Sequence, residues 1–228
     1  MPISAFKRIL FRYTIIMITF GIYCIIGIIN LLSALFFKES LRKISKGCLM
    51  PALLAFYLLA AERILFPAIA ALIFSCAGDI FLIYKDRQIF FKLGLAAFLI
   101  SHIFYITAFL FLAENVNTLA LIISIVIAVP MGLAILKLLN ADPPMKIPVA
   151  AYAFVIILMS MTALQLMLAR PGYAGIIVFS GSIVYLFSDT FMAYHLFHGK
   201  PKYFNFITMI PYIIAQGGII AGLVLGKV

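Results

Sequence analysis

Long apolar runs follow one another along almost the whole chain, and they constrain its fold more than any other feature. Of the 228 residues, 66% are hydrophobic and 11% are charged, whereas a soluble domain carries about 25% charged residues. A helix needs roughly 20 apolar residues to cross a bilayer. Because so little polar surface is available to face water, the chain is predicted to be an all-α, polytopic integral membrane protein.

Eight spans fit the length of the chain, and together they are predicted to form one transmembrane domain over residues 1–228. The second span is short, and Glu62 and Arg63 separate it from the third. If these two spans were one broken helix, the count would be seven. The predicted spans are Tyr13–Phe37, Leu49–Ala61, Phe66–Tyr84, Phe91–Leu112, Leu119–Leu138, Ile147–Leu168, Gly172–His195 and Phe204–Leu225.

The net charge of +10 indicates contact with anionic membrane lipids and not with nucleic acid, because the basic residues lie in short gaps between apolar runs. Loops 1–2, 3–4, 5–6 and 7–8 hold most of the lysine and arginine, which predicts that these loops are cytoplasmic and both termini external. Lys7, Arg8 and Arg12 oppose this orientation. We expect a bacterial inner membrane; the oligomeric state is not predicted.

Two of the seven acidic residues, Asp79 and Asp189, lie inside predicted spans. Residues 78–84 read Gly-Asp-Ile-Phe-Leu-Ile-Tyr, and residues 188–194 read Ser-Asp-Thr-Phe-Met-Ala-Tyr. The shared pattern arises from an internal repeat or from coincidence. An ionisable residue inside a span costs about 2.5–3.5 kcal/mol on insertion scales, so it indicates function. The alternative is that each aspartate caps a helix or pairs with a basic residue.

The two aspartates are predicted to lie at matched depths near the same face of the membrane. Each precedes a predicted span boundary, Lys85 or His195, by six residues, which corresponds to about 9 Å of helix. Two carboxyl groups that meet in a dry site lose their protons at different pH values. One then serves as an acid while the other is ionised.

Polar residues of other spans are candidates for the same site. Gly94, Phe98, His102 and Tyr105 are spaced to share one face of the fourth span. Gly94 would let a neighbouring helix approach closely. A buried histidine is often a packing or hydrogen-bonding residue, so a direct catalytic role for His102 and a packing role both remain open.

Three further polar residues each have two interpretations. Tyr212 and Gln216 lie one turn apart on the eighth span and either contact substrate or form an interhelical hydrogen bond. Lys46 opens the predicted second span and either holds a phosphate or extends toward the membrane surface. His195 and His198 have a spacing suited to a metal, but no further ligands are evident, so no metal is predicted.

Several motifs, taken in order, resemble the YhhN family across nearly the whole chain. They are Phe74-Ser75-Cys76-Ala77-Gly78-Asp79, the segment from Gly94 to Tyr105, Phe187-Ser188-Asp189 with Ala193, and Tyr212 to Gln216. The resemblance implies eight spans, the activity of a lysoplasmalogenase, and Asp79 and Asp189 as the catalytic pair. Ser75 and Ser188 become candidate substrate-binding residues with Tyr105, Tyr212, Gln216 and Lys46.

The substrate implied by the resemblance is a lysoplasmalogen, a one-chain glycerophospholipid with a vinyl ether. Hydrolysis would release a fatty aldehyde and glycerophospho-ethanolamine or glycerophospho-choline, and no cofactor is expected. One departure puts the role of Lys46 in doubt: the family often has Lys-Pro at the start of the second span, whereas here Gly47 follows Lys46 and Pro51 comes later.

Two rival functions use the same residues differently. Intramembrane aspartate and histidine residues also form proton relays, so a proton-coupled transporter of a small molecule or lipid is the main alternative. Its expected broken helices in both halves are not evident, since Pro130 and Gly132 in the fifth span have no counterpart in the first. A non-catalytic membrane scaffold or lipid sensor is the third hypothesis.

Overall fold

The computed structural model of the protein describes residues 3–84, 86–114, 118–140 and 142–226, with the backbone alone at residues 3–12 and 120. Within this part of the chain there are eight α-helices and no strand. They are α1 (Ile3–Leu35), α2 (Glu39–Ala60), α3 (Phe66–Ile83), α4 (Gln88–Ala113), α5 (Thr118–Leu139), α6 (Pro143–Ala169), α7 (Tyr173–His198) and α8 (Phe204–Leu225).

All eight of these helices are long and apolar enough to cross a membrane, and the crossing part of α1 is Tyr13–Leu35. Large apolar side chains face outward, for example Met17, Leu133 and Ile147. In water such a surface would be unstable, whereas lipid satisfies it. The predicted all-α, eight-span membrane fold is therefore confirmed. The single domain over residues 1–228 and the bacterial inner membrane stay predictions.

The second helix is longer than the sequence indicated, so the seven-span alternative is wrong. Helix α2 begins at Glu39, ten residues before the predicted start at Leu49. The charged residues that appeared to belong to a loop are helical because they have partners. Arg42 donates two hydrogen bonds to Glu39, which also lies favourably in the first turn of the helix.

Each helix packs against the next one along the chain except α4, which makes no contact with α5 within the described residues, and α8 brings the two ends of the chain together. Helix α8 packs against α7 and also contacts α1 and α2, while α6 lies between α4 and α7. Helix α5 packs against α6 and α7 and leaves much of its surface outward. This arrangement places α3, α4, α7 and α8 around a common interior.

The loops alternate between the two ends of the bundle as the eight-span prediction requires. Lys200, between α7 and α8, forms an ion pair of 2.7 Å with Asp86, between α3 and α4. At the other end, Arg170 after α6 pairs with Glu114 after α4 at 2.6 Å. The cytoplasmic position of the first end stays a prediction. Lys85, the boundary used to judge the depth of Asp79, lies outside the described residues.

Candidate active site

Asp79 lies on α3, four residues before that helix ends at Ile83, and its side chain is 1% exposed. Its Oδ1 atom lies 3.3 Å from Nζ of Lys46 on α2. Its Oδ2 atom accepts a hydrogen bond of 2.7 Å from the hydroxyl of Tyr212 on α8. Asp79 is therefore one half of a buried ion pair, and three helices meet at its carboxylate.

Asp189 lies on α7 and is also buried, with 8% of the residue exposed. Its Oδ2 atom accepts a hydrogen bond from the hydroxyl of Tyr152 on α6. Helix α7 continues nine residues beyond Asp189 to His198, past the predicted boundary at His195. The two aspartates therefore lie at unequal distances from their helix ends, and their matched depth in the membrane stays a prediction.

Both aspartates nevertheless line one cavity, which we name the carboxylate cavity. It contains about 430 Å³ of space between atoms, including its open mouth. The aspartates approach it from α3 and α7. Its lining consists of Arg42, Lys46, Asp79, Leu82, Phe98, Ser188, Asp189, Met192, Asn205, Thr208, Met209 and Tyr212.

The carboxylate cavity meets a polar space at the end of the bundle where Asp86 and Lys200 form their ion pair. We name this space the polar vestibule. Arg42 and Asn205 line both spaces. The vestibule also carries ionised side chains of both signs, among them Glu39, Asp86 and Lys200. The polar vestibule is therefore adjacent to the carboxylate cavity.

On its other side the carboxylate cavity meets a space lined almost wholly by apolar residues, the apolar cavity. Four residues line both spaces: Leu82, Phe98, Asp189 and Met192. Asp189 therefore lies at the junction of a polar and an apolar space. Asp79 lines the carboxylate cavity, on the side where Lys46 and Tyr212 lie.

Two glycines let α3 and α4 pack closely beside Asp79. A Cβ atom on Gly78 would lie 2.6 Å from the ring of Phe98, and one on Gly94 would lie 2.7 Å from the side chain of Leu82. The predicted close approach at Gly94 is therefore confirmed. Because Phe98 and Leu82 line both cavities, this packing fixes the wall that the cavities share.

Among the other candidates, Lys46, Ser188 and Tyr212 line the carboxylate cavity with the aspartates. Lys46 does not open the second span as predicted, because α2 begins seven residues earlier and Lys46 is buried inside it. The hydroxyl of Ser188 makes a long contact of 3.4 Å to the Thr208 carbonyl. Binding of substrate by these three residues stays a prediction.

Ser75, Tyr105 and Gln216 form a separate hydrogen-bond network and do not line the carboxylate cavity. The Gln216 amide accepts a hydrogen bond of 2.7 Å from Tyr105 and donates to Ser75 and to Tyr185. Ser75 also bonds to Ser101 at 2.8 Å. The geometry favours interhelical hydrogen bonds for these residues, so their predicted contact with substrate finds no support here.

His102 is fully buried on α4 beside the residues that hold Asp189. Its ring lies edge-on to those of Tyr185 and Tyr152, with centroid separations of 4.8 and 5.4 Å. Neither ring nitrogen forms a hydrogen bond within the described residues, although the Phe98 carbonyl lies near enough to interact electrostatically. His102 therefore contacts Tyr152, and Tyr152 donates the hydrogen bond to Asp189. The catalytic role of His102 stays a prediction.

His195 and His198 each form a contact of 3.0 Å with a backbone carbonyl, that of Gly199 or of Tyr194. In the described part of the chain, no group of three or more His, Cys, Asp or Glu side chains is arranged to hold a metal ion. His195 and His198 thus each have a backbone partner near the end of α7.

Sequence reasoning missed two tyrosines and two residues at the mouth of the site. Tyr152 bonds to Asp189, and Tyr185 bonds to Gln216. Tyr185 lies one turn before Asp189 on α7, a spacing that could have revealed it. Tyr152 is flanked by apolar residues, so only the general need of buried hydroxyls for partners pointed to it. At the mouth, Arg42 had been assigned to a loop, and Asn205 lay in the predicted eighth span without being singled out.

Comparison with known proteins agrees with the motifs on which the site is built. The model of the YhhN family matches residues 41–223, a range that contains every residue of the carboxylate cavity. The chain is also similar to lysoplasmalogenase TMEM86B from Homo sapiens, with 34% identity over 146 residues. That match covers 64% of this chain and 58% of the human protein. No solved structure matches the chain significantly. The family match spans most of the sequence, so the chain belongs to the YhhN family.

Proposed function

We propose that this protein is a lysoplasmalogenase, which hydrolyses the vinyl ether bond of lysoplasmenyl-ethanolamine or lysoplasmenyl-choline. The products are a fatty aldehyde and glycerophospho-ethanolamine or glycerophospho-choline. The observation that carries the proposal is a pair of buried carboxyl groups, Asp79 and Asp189, which line one cavity with different partners. Similarity to the human lysoplasmalogenase supports the same reaction.

The partners of the two aspartates divide the roles of acid and counter-ion. Lys46 places a positive charge 3.3 Å from Asp79, which favours the ionised form of that carboxylate. Asp189 lies against the apolar cavity, and this burial favours the protonated form more strongly than the hydrogen bond from Tyr152 favours the ionised form. We therefore assign Asp189 as the general acid and Asp79 as the carboxylate that stabilises positive charge.

Hydrolysis then follows in three balanced steps. Asp189 donates its proton to the β carbon of the vinyl ether, and the π electrons form the new C–H bond. This leaves an oxocarbenium ion, whose charge the Asp79 carboxylate stabilises, as carboxylates do in glycoside cleavage. Water adds to the cationic carbon and returns a proton to Asp189. The resulting hemiacetal loses its hydroxyl proton as its C–O bond to glycerol breaks, and the glycerol oxygen gains a proton.

Two neighbouring tyrosines act as positioning residues in this mechanism. Tyr152 orients the Asp189 carboxyl, and Tyr212 orients the Asp79 carboxylate, each through the hydrogen bond that its hydroxyl donates. Water reaches the pair from the polar vestibule, past Arg42 and Asn205. The membrane supplies the lipid substrate.

An assay of the purified protein in detergent tests the proposal. We expect aldehyde to be released from lysoplasmenyl-ethanolamine in equal amount to the glycerophospho-ethanolamine formed. The matched control is the alkyl-ether lysolipid, which lacks the double bond and must remain intact because the first step protonates that bond. Absence of aldehyde from any vinyl-ether lysolipid, together with a substrate-driven pH change in proteoliposomes, would contradict the proposal and favour transport.

A further inference from the structure

The apolar cavity occupies the space between five helices, α3 to α7. It contains about 530 Å³ between atoms, including its open side. Apart from Tyr152, Asp189 and Thr190, every residue that lines it is apolar. Those residues are Leu82, Phe91, Leu95, Phe98, Ile135, Leu139, Val149, Ala153, Ile156, Met192 and Ala193.

The three spaces follow one another in the order of the parts of a one-chain lipid. The polar vestibule shares Arg42 and Asn205 with the carboxylate cavity. The carboxylate cavity in turn shares Asp189 and Met192 with the apolar cavity. A lipid whose headgroup lies toward the vestibule therefore has its first chain carbons at Asp189 and the rest of its chain in the apolar cavity.

The apolar cavity extends from Asp189 toward α5, the helix that contributes Ile135 and Leu139 to its wall. The outward surface of α5 is apolar, with Leu133 62% exposed and Leu138 54% exposed. A chain that leaves the bilayer sideways at α5 would thus remain among apolar groups along its whole path. Met192, at the inner end, has an adaptable side chain that can shift as a chain enters.

We propose that the apolar cavity binds the hydrocarbon chain of the one-chain lipid and thereby sets the preference for chain length. This inference rests on the proposed function, because it places the vinyl ether of the same substrate beside Asp189. It adds a binding site for the chain, with Ala153 on α6 as the position whose size controls the space available.

Replacement of Ala153 with a large side chain tests the proposal. Ala153 is 4% exposed and lines the cavity, whereas Ala151, on the same helix, faces outward. We expect Ala153→Phe to lower kcat/KM for a hexadecenyl lysoplasmalogen by about tenfold or more, since the methylenes that no longer fit in the cavity lose the benefit of burial. The hexenyl analogue should lose less than about twofold. Ala151→Phe should leave both substrates unchanged.

Photocrosslinking supplies a readout that does not depend on catalysis. The probe is an alkyl-ether lysophospho-ethanolamine with a diazirine at the end of its chain. We expect labelling of α5 or α6 near Leu139 and Val149, and loss of this labelling in Ala153→Phe but not in Ala151→Phe. Labels elsewhere, or equal losses of kcat/KM for both chain lengths, would overturn the assignment of the apolar cavity as the chain-binding site. If the wild-type protein is labelled here yet releases no aldehyde, the proposed function fails and the binding site stands.

Discussion

Asp79 and Asp189 line the same cavity, but the surroundings of the two residues differ. Asp79 has a charged partner, Lys46, at 3.3 Å and a hydroxyl partner in Tyr212. Asp189 has the hydroxyl of Tyr152 and an apolar space on its far side. A nearby cation favours the ionised form of a carboxyl group, whereas an apolar space favours the protonated form, so these two features of the surroundings act in opposite directions.

The residues that precede the two aspartates differ in how tightly they are packed. Gly78, before Asp79, is packed so tightly that an added Cβ would lie 2.6 Å from the Phe98 ring. Ser188, before Asp189, makes only a 3.4 Å contact with a backbone carbonyl. The α3 side of the cavity is therefore held more closely than the α7 side.

The largest expected difference concerns stability. Asp79→Asn removes the carboxylate partner of buried Lys46, and breaking a buried ion pair costs about 3–5 kcal/mol. Asp189→Asn keeps an oxygen that accepts the Tyr152 hydrogen bond, so it should cost about 1 kcal/mol or less. Thermal unfolding in detergent, followed by size-exclusion chromatography, measures both variants.

A second substitution on α2 separates the loss of the ion pair from general damage. Lys46→Met in the Asp79→Asn protein should restore most of the stability, since apolar groups can replace a buried ion pair. It should not restore aldehyde release. Equal destabilisation by Asp79→Asn and Asp189→Asn would show that the ion pair does not distinguish the two aspartates.

A smaller difference is expected at the preceding residues, where the same alanine is introduced on each side. In Gly78→Ala, overpacking against Phe98 costs roughly 1–3 kcal/mol, and alanine's higher helix propensity offsets about 0.5–1 kcal/mol. Ser188→Ala should change stability by less than about 0.5 kcal/mol. Aldehyde release should fall more in Gly78→Ala, because Phe98 lines both cavities.

Ser188→Ala also tests a role that was predicted from the sequence alone. An unchanged KM would indicate that Ser188 only fills space beside Asp189. A raised KM with kcat unchanged would support the predicted contact with substrate. Gly47→Ala serves as a control for helix propensity, since nothing lies within 4 Å of a Cβ at that position.

The membrane fold was predictable because apolar length alone determines which segments can cross a bilayer. The start of α2 was not, because Arg42 and Lys46 looked like loop residues until their partners were known. Glu39 is close to Arg42 in sequence, but Asp79 reaches Lys46 only through the packing of α2 on α3. A hydropathy scale includes the cost of burying a charged side chain but not the ion-pair partner that offsets this cost.

The two aspartates could be identified as candidates because an acidic residue inside a span is costly and uncommon. Tyr152 could not, because tyrosine occurs widely in apolar helices and its hydroxyl finds a partner only after α6 packs on α7. Tyr105 and Gln216 illustrate the opposite limit. Their polarity indicated a site, but each is satisfied by the other within the bundle.

The rate of aldehyde release by Asp189→Asn tests the central claim most directly, because this variant should stay folded. We predict a fall of at least about 10²-fold relative to the wild-type protein, the usual contribution of a general acid. The measurement uses lysoplasmenyl-ethanolamine in detergent and a sample whose unfolding temperature matches that of the wild type. A folded Asp189→Asn protein that releases aldehyde at the wild-type rate would contradict the assignment of Asp189 as the proton donor.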